Sequence, residues 1–144
     1  PARNMALEDA ARQKKLCVQV SDDISKWQYW NTSKTLRVKN NSFSAQNELS
    51  KSLRKSGAVL DVSPTAAMRF MAAKMRAAGA KLCGVYPQAN IARAFTQPNE
   101  TYKHFILGDF FVADESPVRF DEAMTLKEDY DYTCAHMAEH GKVL

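Results

Sequence analysis

The stretch that decides the fold is an apolar run that stops at two adjacent acids, LCVQVSDD at residues 16–23. A short apolar run with valines is typical of a strand that buries both of its faces, and such strands belong to α/β sheets. Ligands of α/β proteins bind beyond the carboxyl ends of the strands. The run therefore predicts an α/β fold in which Asp22 and Asp23 lie at a ligand-binding edge.

Local signals on either side of this run mark where helices begin and end. Gly57 is expected to stop one helix, and Ser63 followed by Pro64 is a typical start for the next. A capping box at Thr125–Glu128 precedes the last helix, which Gly141 ends. The order α, β, α, α, β, β, α predicts a layered α/β domain. Helices are expected at residues 3–15, 44–56, 63–79 and 126–139, and strands at 16–20, 82–86 and 104–112; residues 35–38 could form a further strand that this order leaves out.

Length and composition are those of an ordinary globular protein. The 144 residues are 45% hydrophobic and 25% charged, so one domain over residues 1–144 is expected. No apolar run approaches the ~20 residues of a membrane helix, so no membrane partner is expected. No signal-peptide pattern opens the sequence, which predicts either an intracellular protein or one whose N-terminus is missing from this sequence. The three cysteines form no CxxC motif, so zinc binding by thiolates is not expected. Each lies in an apolar stretch and is interpreted as a small core residue rather than a nucleophile.

The net charge of +4 is unevenly spread, with a basic middle and an acidic last third. A basic surface attracts phosphorylated partners and nucleic acid, whereas scattered basic residues on helices are usually solvated faces. The sequence leaves both interpretations open. The basic residues of the middle are Lys34, Arg37, Lys39, Lys51, Arg54, Lys55, Arg69, Lys74, Arg76 and Lys81.

The acids that end the first strand suggest a metal site. Adjacent carboxylates at Asp22 and Asp23 repel each other, and Mg²⁺ or Mn²⁺ would relieve this cost because these ions prefer carboxylate and phosphate oxygens. A diphosphate whose oxygens also bind the metal ion is the natural ligand of such a site. The alternative is a solvated turn with an aspartate that caps a helix before Ile24.

A second acidic cluster, KEDYD at residues 127–131, begins the last helix. Glu128 and Asp131 share one helix face, and Glu128 is explained by the capping box and by the helix dipole. Asp129 has no such explanation, which makes it the better candidate for a general base.

Two further groups of polar residues have weaker chemical interpretations. Tyr86, where the strand at 82–86 opens into a loop, and Asn90 in that loop would offer hydrogen bonds to a sugar or a nucleotide, or would form a plain turn. His136 and His140 are spaced i, i+4, but Met137 stands where a zinc-protease motif needs glutamate, so a partly exposed helix end is favoured over a metal site.

Together these motifs resemble those of GT-A glycosyltransferases, and more specifically the TET-associated glycosyltransferase group with its algal and viral-type relatives. The resemblance covers nearly the whole chain and implies a GT-A, Rossmann-like layered sheet with flanking helices, as one partial domain that is truncated at both ends. Ser21 departs from the family, which often has aspartate there. The matching segments are Arg3–Asn4, Asp22–Asp23, Gly84–Pro87 with Asn90, Phe105–Gly108, Arg119–Glu122, Lys127–Asp131 and His140–Leu144.

On the donor side, the resemblance implies that Arg3 and Asn4 lie near the nucleotide. Asp22 and Asp23 would be the DxD-type motif, which holds Mn²⁺ or Mg²⁺ and the diphosphate of a nucleoside-diphosphate sugar. Asp22 would therefore contact both the metal and the donor.

On the acceptor side, the resemblance implies that Asp129 deprotonates the acceptor hydroxyl, with Glu128 beside it, while Tyr86 and Asn90 line the sugar or acceptor. The implied function is metal-dependent transfer of a sugar to a hydroxyl group, with a hydroxymethylated DNA base as the acceptor that the family suggests.

Two other functions stay open at this point. One is a non-catalytic nucleic-acid-binding module with a degenerate transferase fold. Interleaved aromatic and basic residues would favour it, but the aromatic cluster at Trp27–Trp30 precedes most of the basic residues. The other is a nucleotidyltransferase, which also places acids at strand ends.

Overall fold

The structure is a computed structural model, and it describes residues 2–30, 48, 51–85 and 100–144. The contacts divide the chain into two compact units, which are treated separately: residues 1–25, 68–87 and 100–144 form the first, and residues 26–67 and 88–99 form the second. Several predicted features lie outside the described residues. They are the strand at 35–38, most of the first half of the helix at 44–56, and the candidate residues Tyr86 and Asn90.

The described residues form both helices and strands, which confirms the mixed α/β class. Eight elements have both of their ends within the described residues: α1 Ala2–Arg12, β1 Cys17–Val20, β2 Gln28–Trp30, β3 Val59–Asp61, α2 Pro64–Ala78, β4 Leu82–Gly84, β5 Phe110–Ala113 and α3 Glu128–His140. Residues 51–55 are helical as well.

The first unit is built on a three-stranded sheet in which β5 lies between β1 and β4 and is antiparallel to both. All of β5 is buried, whereas Val18 and Val20 of β1 are 37% and 43% exposed. The expectation that residues 16–20 bury both faces is therefore wrong. A central strand has neighbours on both sides, and β1 has one neighbour among the described residues.

Helices cover both faces of this sheet. On one face, β1 and β5 contribute Cys17, Phe111 and Ala113 to the core, together with residues of α1 and α3 such as Leu7 and Tyr132. On the other face, the Cys83 thiol lies 3.7 Å from the Met71 carbonyl oxygen of α2. Because opposite residues of a ladder point to the same face, the register of β1 and β5 sets which side chains enter each layer.

The second unit contains the antiparallel pair β2 and β3, in which the Gln28 amide donates to Asp61 at 2.9 Å. The predicted helix stop at Gly57 is confirmed, since this residue has a φ of 67° after the helical segment 51–55. The predicted start of α2 is confirmed as well, because the Ser63 hydroxyl accepts a hydrogen bond from the Ala66 N–H at 3.2 Å.

The start of α3 differs from the sequence expectation. Lys127 is the N-cap residue, with a φ of 62° and no side-chain cap, so the predicted capping box at Thr125–Glu128 is wrong. The predicted end is confirmed, because Gly141 has a φ of 75° and donates to the Met137 carbonyl. Among the described residues, no helix has the length and apolar character needed to cross a membrane.

Candidate functional site

The acidic turn at residues 21–23 lies beside the start of β5. Because β1 and β5 are antiparallel, the end of one meets the beginning of the other, and the Ser21 N–H donates to the Asp109 carbonyl oxygen at 2.7 Å. The Ser21 hydroxyl accepts a hydrogen bond from the Asp23 N–H at 3.2 Å, which stabilises the turn. The exposed side chains of Asp22, Asp23 and Asp109 thus lie at one end of the sheet.

Helix α3 begins at the same end of the sheet. The Gly108 N–H donates to Oδ2 of Asp129 at 3.0 Å, and the Tyr130 N–H donates to its Oδ1 at 2.9 Å. Gly108 directly precedes Asp109, whose carbonyl is bonded to Ser21. The loop at residues 106–109 therefore joins the acidic turn to the carboxylate that the sequence singles out as a base.

Backbone hydrogen bonds fix the Asp129 carboxylate but do not use all of its acceptor positions. Each oxygen accepts one backbone N–H, and a carboxylate oxygen has a further lone pair. The helix is held on the loop by Thr133, whose buried hydroxyl accepts from the Ile106 N–H at 3.2 Å. The half-buried Asp129 therefore keeps acceptor capacity on both oxygens, and its role as a general base stays a prediction.

Arg3 lies against the same loop. Its Nη1 is 3.1 Å from Oε1 of Glu128, and its guanidinium lies 5.2 Å from the centre of the Phe120 ring. A Cβ at Gly108 would lie 3.1 Å from Nη2, so a larger residue there would displace the arginine. Nη1 is buried, and its charge is compensated by the Glu128 carboxylate, although the geometry of this contact is not that of a hydrogen bond.

Asn4 holds the segment at residues 120–122. Its Nδ2 donates to the Phe120 carbonyl at 2.9 Å and to Oε1 of Glu122 at 3.1 Å, while its Oδ1 accepts from the Phe120 N–H at 2.9 Å. Asn4 is buried, and both of its amide donors are used. Its evident role is to position the aromatic ring under Arg3, and contact with a nucleotide stays a prediction.

The loop predicted to line the sugar begins at the end of β4. Gly84 has no room for a side chain, because the Ile106 side chain already occupies the place of its Cβ. The two candidate residues of this loop, Tyr86 and Asn90, lie outside the described residues, so their predicted contacts stay predictions.

The metal site expected at Asp22 and Asp23 stays a prediction. In the part of the chain that the structure describes, no three His, Cys, Asp or Glu side chains come together in a way that would hold a metal ion. Mg²⁺, however, is usually bound by one or two carboxylates, several waters and the phosphates of a substrate. The predicted site requires this second mode, in which phosphate oxygens complete the coordination.

A small cleft lies at the opposite end of the sheet, near the start of β1 and the end of β5. Residues such as Leu7, Cys17 and Ser116 line it, and its volume of about 10 Å³ suits one water molecule. This cleft is therefore too small for a nucleotide.

The two histidines of α3 differ in burial: His140 is partly exposed, as expected, whereas His136 is buried, so the expectation of a partly exposed helix end is wrong for His136. Nε2 of His140 is 2.8 Å from the Ser116 hydroxyl oxygen. The buried ring of His136 packs edge-on against the ring of Tyr132, with the ring centroids 4.6 Å apart. Neither ring nitrogen of His136 has a hydrogen bond to a described residue. Burial, and to a lesser degree the nearby His140, lowers the pKa of His136 to about 4.

The cysteines divide into two classes. Cys17 and Cys83 are buried core residues, as predicted, and burial raises the pKa of Cys83 to about 12. Cys134 is exposed on α3, so the interpretation of this residue as a core position is wrong. An apolar neighbourhood in sequence does not tell which face of a helix a residue occupies.

Sequence reasoning missed a group of exposed aromatic and basic residues next to Asp129. The rings of Phe105 and Tyr130 are in contact, with centroids 4.9 Å apart, and are 45% and 41% exposed. The tetrapeptide at Tyr102–Phe105, in which aromatic residues flank Lys103 and His104, is the sequence pattern that could have indicated this group. The pattern was overlooked because a strand was expected at 104–112, whereas the observed strand spans Phe110–Ala113.

No family model, curated protein or solved structure matches this chain.

Proposed function

We propose that this chain is the donor-binding and catalytic part of a metal-dependent glycosyltransferase with a GT-A-type fold. It would move a sugar from a nucleoside-diphosphate donor to a hydroxyl group of an acceptor. The proposed acceptor is a hydroxymethylated base in DNA. The observation that carries the proposal is that the acidic turn and Asp129 lie at one end of one sheet, joined through residues 106–109. The layered arrangement of helices on both faces of the sheet is compatible with it.

In this proposal, the two acidic groups have separate roles. Asp22 and Asp23 bind Mn²⁺ or Mg²⁺ together with the diphosphate of the donor. When bound, the cation neutralises the charge that develops on the leaving diphosphate. The Asp129 carboxylate takes the proton of the acceptor hydroxyl, whose oxygen bonds to the anomeric carbon as the bond to the diphosphate breaks.

Arg3 stays the proposed contact of the donor nucleotide, as the resemblance implies. Its side chain is 37% exposed, and its Nη1 is paired with Oε1 of Glu128 at 3.1 Å. In the proposal, Glu128 keeps the guanidinium near α3, beside the loop that carries Gly108.

Calorimetric titration with nucleoside diphosphates, with and without Mn²⁺, tests the proposal. The Asp23→Ala variant should lose the metal-dependent part of the affinity, because one of two carboxylate ligands is removed. Glu139→Gln, an exposed change at the far end of α3, is the matched control and should bind as the parent does. Unchanged affinity in Asp23→Ala would argue strongly against a metal site at this turn.

A nucleic-acid-binding module is the second candidate function. The observation in its favour is that Lys51, Arg54 and Lys55 are all exposed on one helical segment of the second unit. Such a surface would give affinity that falls steeply with salt and no turnover of sugar nucleotides. Reversing these three charges should weaken the binding of nucleic acid, and an unchanged affinity would remove this candidate.

A further inference from the structure

We infer that the edge of β1 that faces away from β5 is an interface between two copies of this chain, in which the two β1 strands pair antiparallel about Gln19. The two three-stranded sheets then form one continuous sheet. In this register Val18 of one copy lies opposite Val20 of the other, and Lys15 lies opposite Asp23. The inference goes beyond the proposed function and does not depend on it.

The two edges of the sheet in the first unit differ. At the β4 edge, the Gly84 N–H donates to the Leu144 carbonyl at 2.9 Å, and the Leu144 N–H donates to the Leu82 carbonyl at 3.0 Å. At the β1 edge, no strand among the described residues pairs with the side that faces away from β5. A strand edge of this kind is a template on which a further strand can pair.

The register with β5 shows which backbone groups face outward. The Ser21 N–H donates to the Asp109 carbonyl, and in an antiparallel ladder the hydrogen-bonded pairs recur at every second residue. The backbone groups of Gln19 therefore face β5, whereas those of Val18 and Val20 face away from it. A second strand at this edge would bond to the N–H and carbonyl groups of both valines.

The side chains at this edge are apolar and partly exposed. Val18 and Val20 are exposed, whereas Val112 and Phe110, which lie opposite them on β5, are buried. Charged residues, prolines and bulges usually protect strand edges, but β1 contains no charged residue or proline, and its ladder with β5 is continuous. Pairing of residue 18 with residue 20 across the interface would bury the valines of both copies against each other.

The charges at the two ends of β1 favour a second copy as the partner. Lys14 and Lys15 precede the strand, Asp22 and Asp23 follow it, and all four are exposed. In an antiparallel pair, the basic start of each strand meets the acidic end of the other, so the two-fold symmetry forms the contact between Lys15 and Asp23 twice. A parallel pair would bring like charges together, which is destabilising.

These charges are not compensated within the part of the first unit that the structure describes. Lys15 donates to the neutral side chain of Gln13 at 2.9 Å, and no ion pair joins Lys15, Asp22 or Asp23 to a described residue. At about 3.3 Å per residue, Lys15 and Asp23 lie at opposite ends of one strand and are too far apart to pair within one chain. Only another copy can bring them together.

An exchange of charges between two variants tests the inference. Sedimentation velocity of the full chain, without metal or nucleotide, should show a reversible equilibrium of monomer and dimer. Lys15→Asp and Asp23→Lys should each weaken dimerisation about ten-fold, because each replaces two attractive contacts with two repulsive ones. An equimolar mixture of these two variants should regain the affinity of the parent, because opposite charges face each other only in the mixed dimer.

A control and a backbone variant complete the experiment. Lys103→Asp makes the same change of charge beside Tyr102, whose carbonyl accepts from the Val143 N–H near the β4 edge, and it should dimerise as the parent does. Val18→Pro removes an outward N–H without breaking a bond to β5, so it should prevent dimerisation while circular dichroism shows a retained fold. If this variant does not fold, the charge variants decide.

Two results would overturn the inference. One is a parent chain that stays monomeric at every concentration tested, and the other is a mixture of the two charge variants that associates no better than each variant alone. Asp23 also belongs to the proposed metal site, but the two ideas fail separately because sedimentation is measured without metal or nucleotide. A monomeric parent whose metal-dependent nucleotide binding is lost in Asp23→Ala would support the proposed function and refute the interface.

Discussion

Replacing Asn4 with alanine tests how the segment at residues 120–122 is held beside the candidate site. The change leaves the buried N–H and carbonyl of Phe120 without partners, since both bind the Asn4 amide at 2.9 Å. Each unsatisfied buried group costs about 1–3 kcal/mol, so the pair costs about 2–6 kcal/mol. The better helix propensity of alanine offsets at most about 0.7 kcal/mol of this. We expect a net loss of about 1–6 kcal/mol in the free energy of unfolding.

This loss is large beside the total stability of a domain, which is typically about 5–15 kcal/mol. Urea unfolding followed by circular dichroism measures it. Met5→Ala is the control on the same helix, because Met5 is 67% exposed, and its effect should stay within about 0.5 kcal/mol. If Asn4→Ala is no more destabilising than this control, the hydrogen bonds to Phe120 do not hold the segment, and the reasoning is refuted.

Three other predictions concern packing, pH and reactivity. Gly84→Ala should lower the melting temperature, because Ile106 occupies the place of the added methyl group; unchanged melting would show that the packing gives way easily. The pKa of His136 is lowered to about 4 by burial and by His140. The unfolded imidazole, with a pKa of about 6.5, takes up a proton first, so the free energy of unfolding should fall by about 3 kcal/mol between pH 6.5 and pH 4. His136→Gln should flatten this dependence in urea titrations; the same slope in the variant would assign it elsewhere. A thiol reagent should label native protein at Cys134 and spare the two buried cysteines, which peptide mass mapping checks; labelling of a buried thiol would contradict the structure.

Signals that act within a few residues were readable from the sequence. Gly57 and Gly141 end helices where the chain needs a positive φ, and Ser63 caps α2. These features depend on the conformation of neighbouring residues alone. The α/β class followed from the same short-range patterns.

Features that depend on distant contacts were not readable. The motif at Thr125–Glu128 has the spacing of a capping box, but Glu128 instead pairs with Arg3, more than a hundred residues away. The edge position of β1 is likewise set by which strand pairs with it, and β5 lies about ninety residues later in the chain. No local pattern encodes either contact.

The candidate site was predicted in part. The sequence named Asp22, Asp23 and Asp129, but the loop that connects them, with Gly108 and Asp109 between the acidic turn and α3, emerged only from the sheet register. The neighbouring pair of exposed rings was missed because a regular strand was expected there.

The central claim is that the acidic turn and the start of α3 form one site for a metal-bound diphosphate. The most direct measurement is an amide NMR titration with a nucleoside diphosphate and Mg²⁺. We predict that the N–H signals of Asp22, Asp23, Gly108 and Asp109 shift together with one saturation curve, while those of Cys17 and Ala113 at the other end of the sheet stay in place. Shifts confined to the other end, or the absence of any response at residues 21–23, would contradict the account.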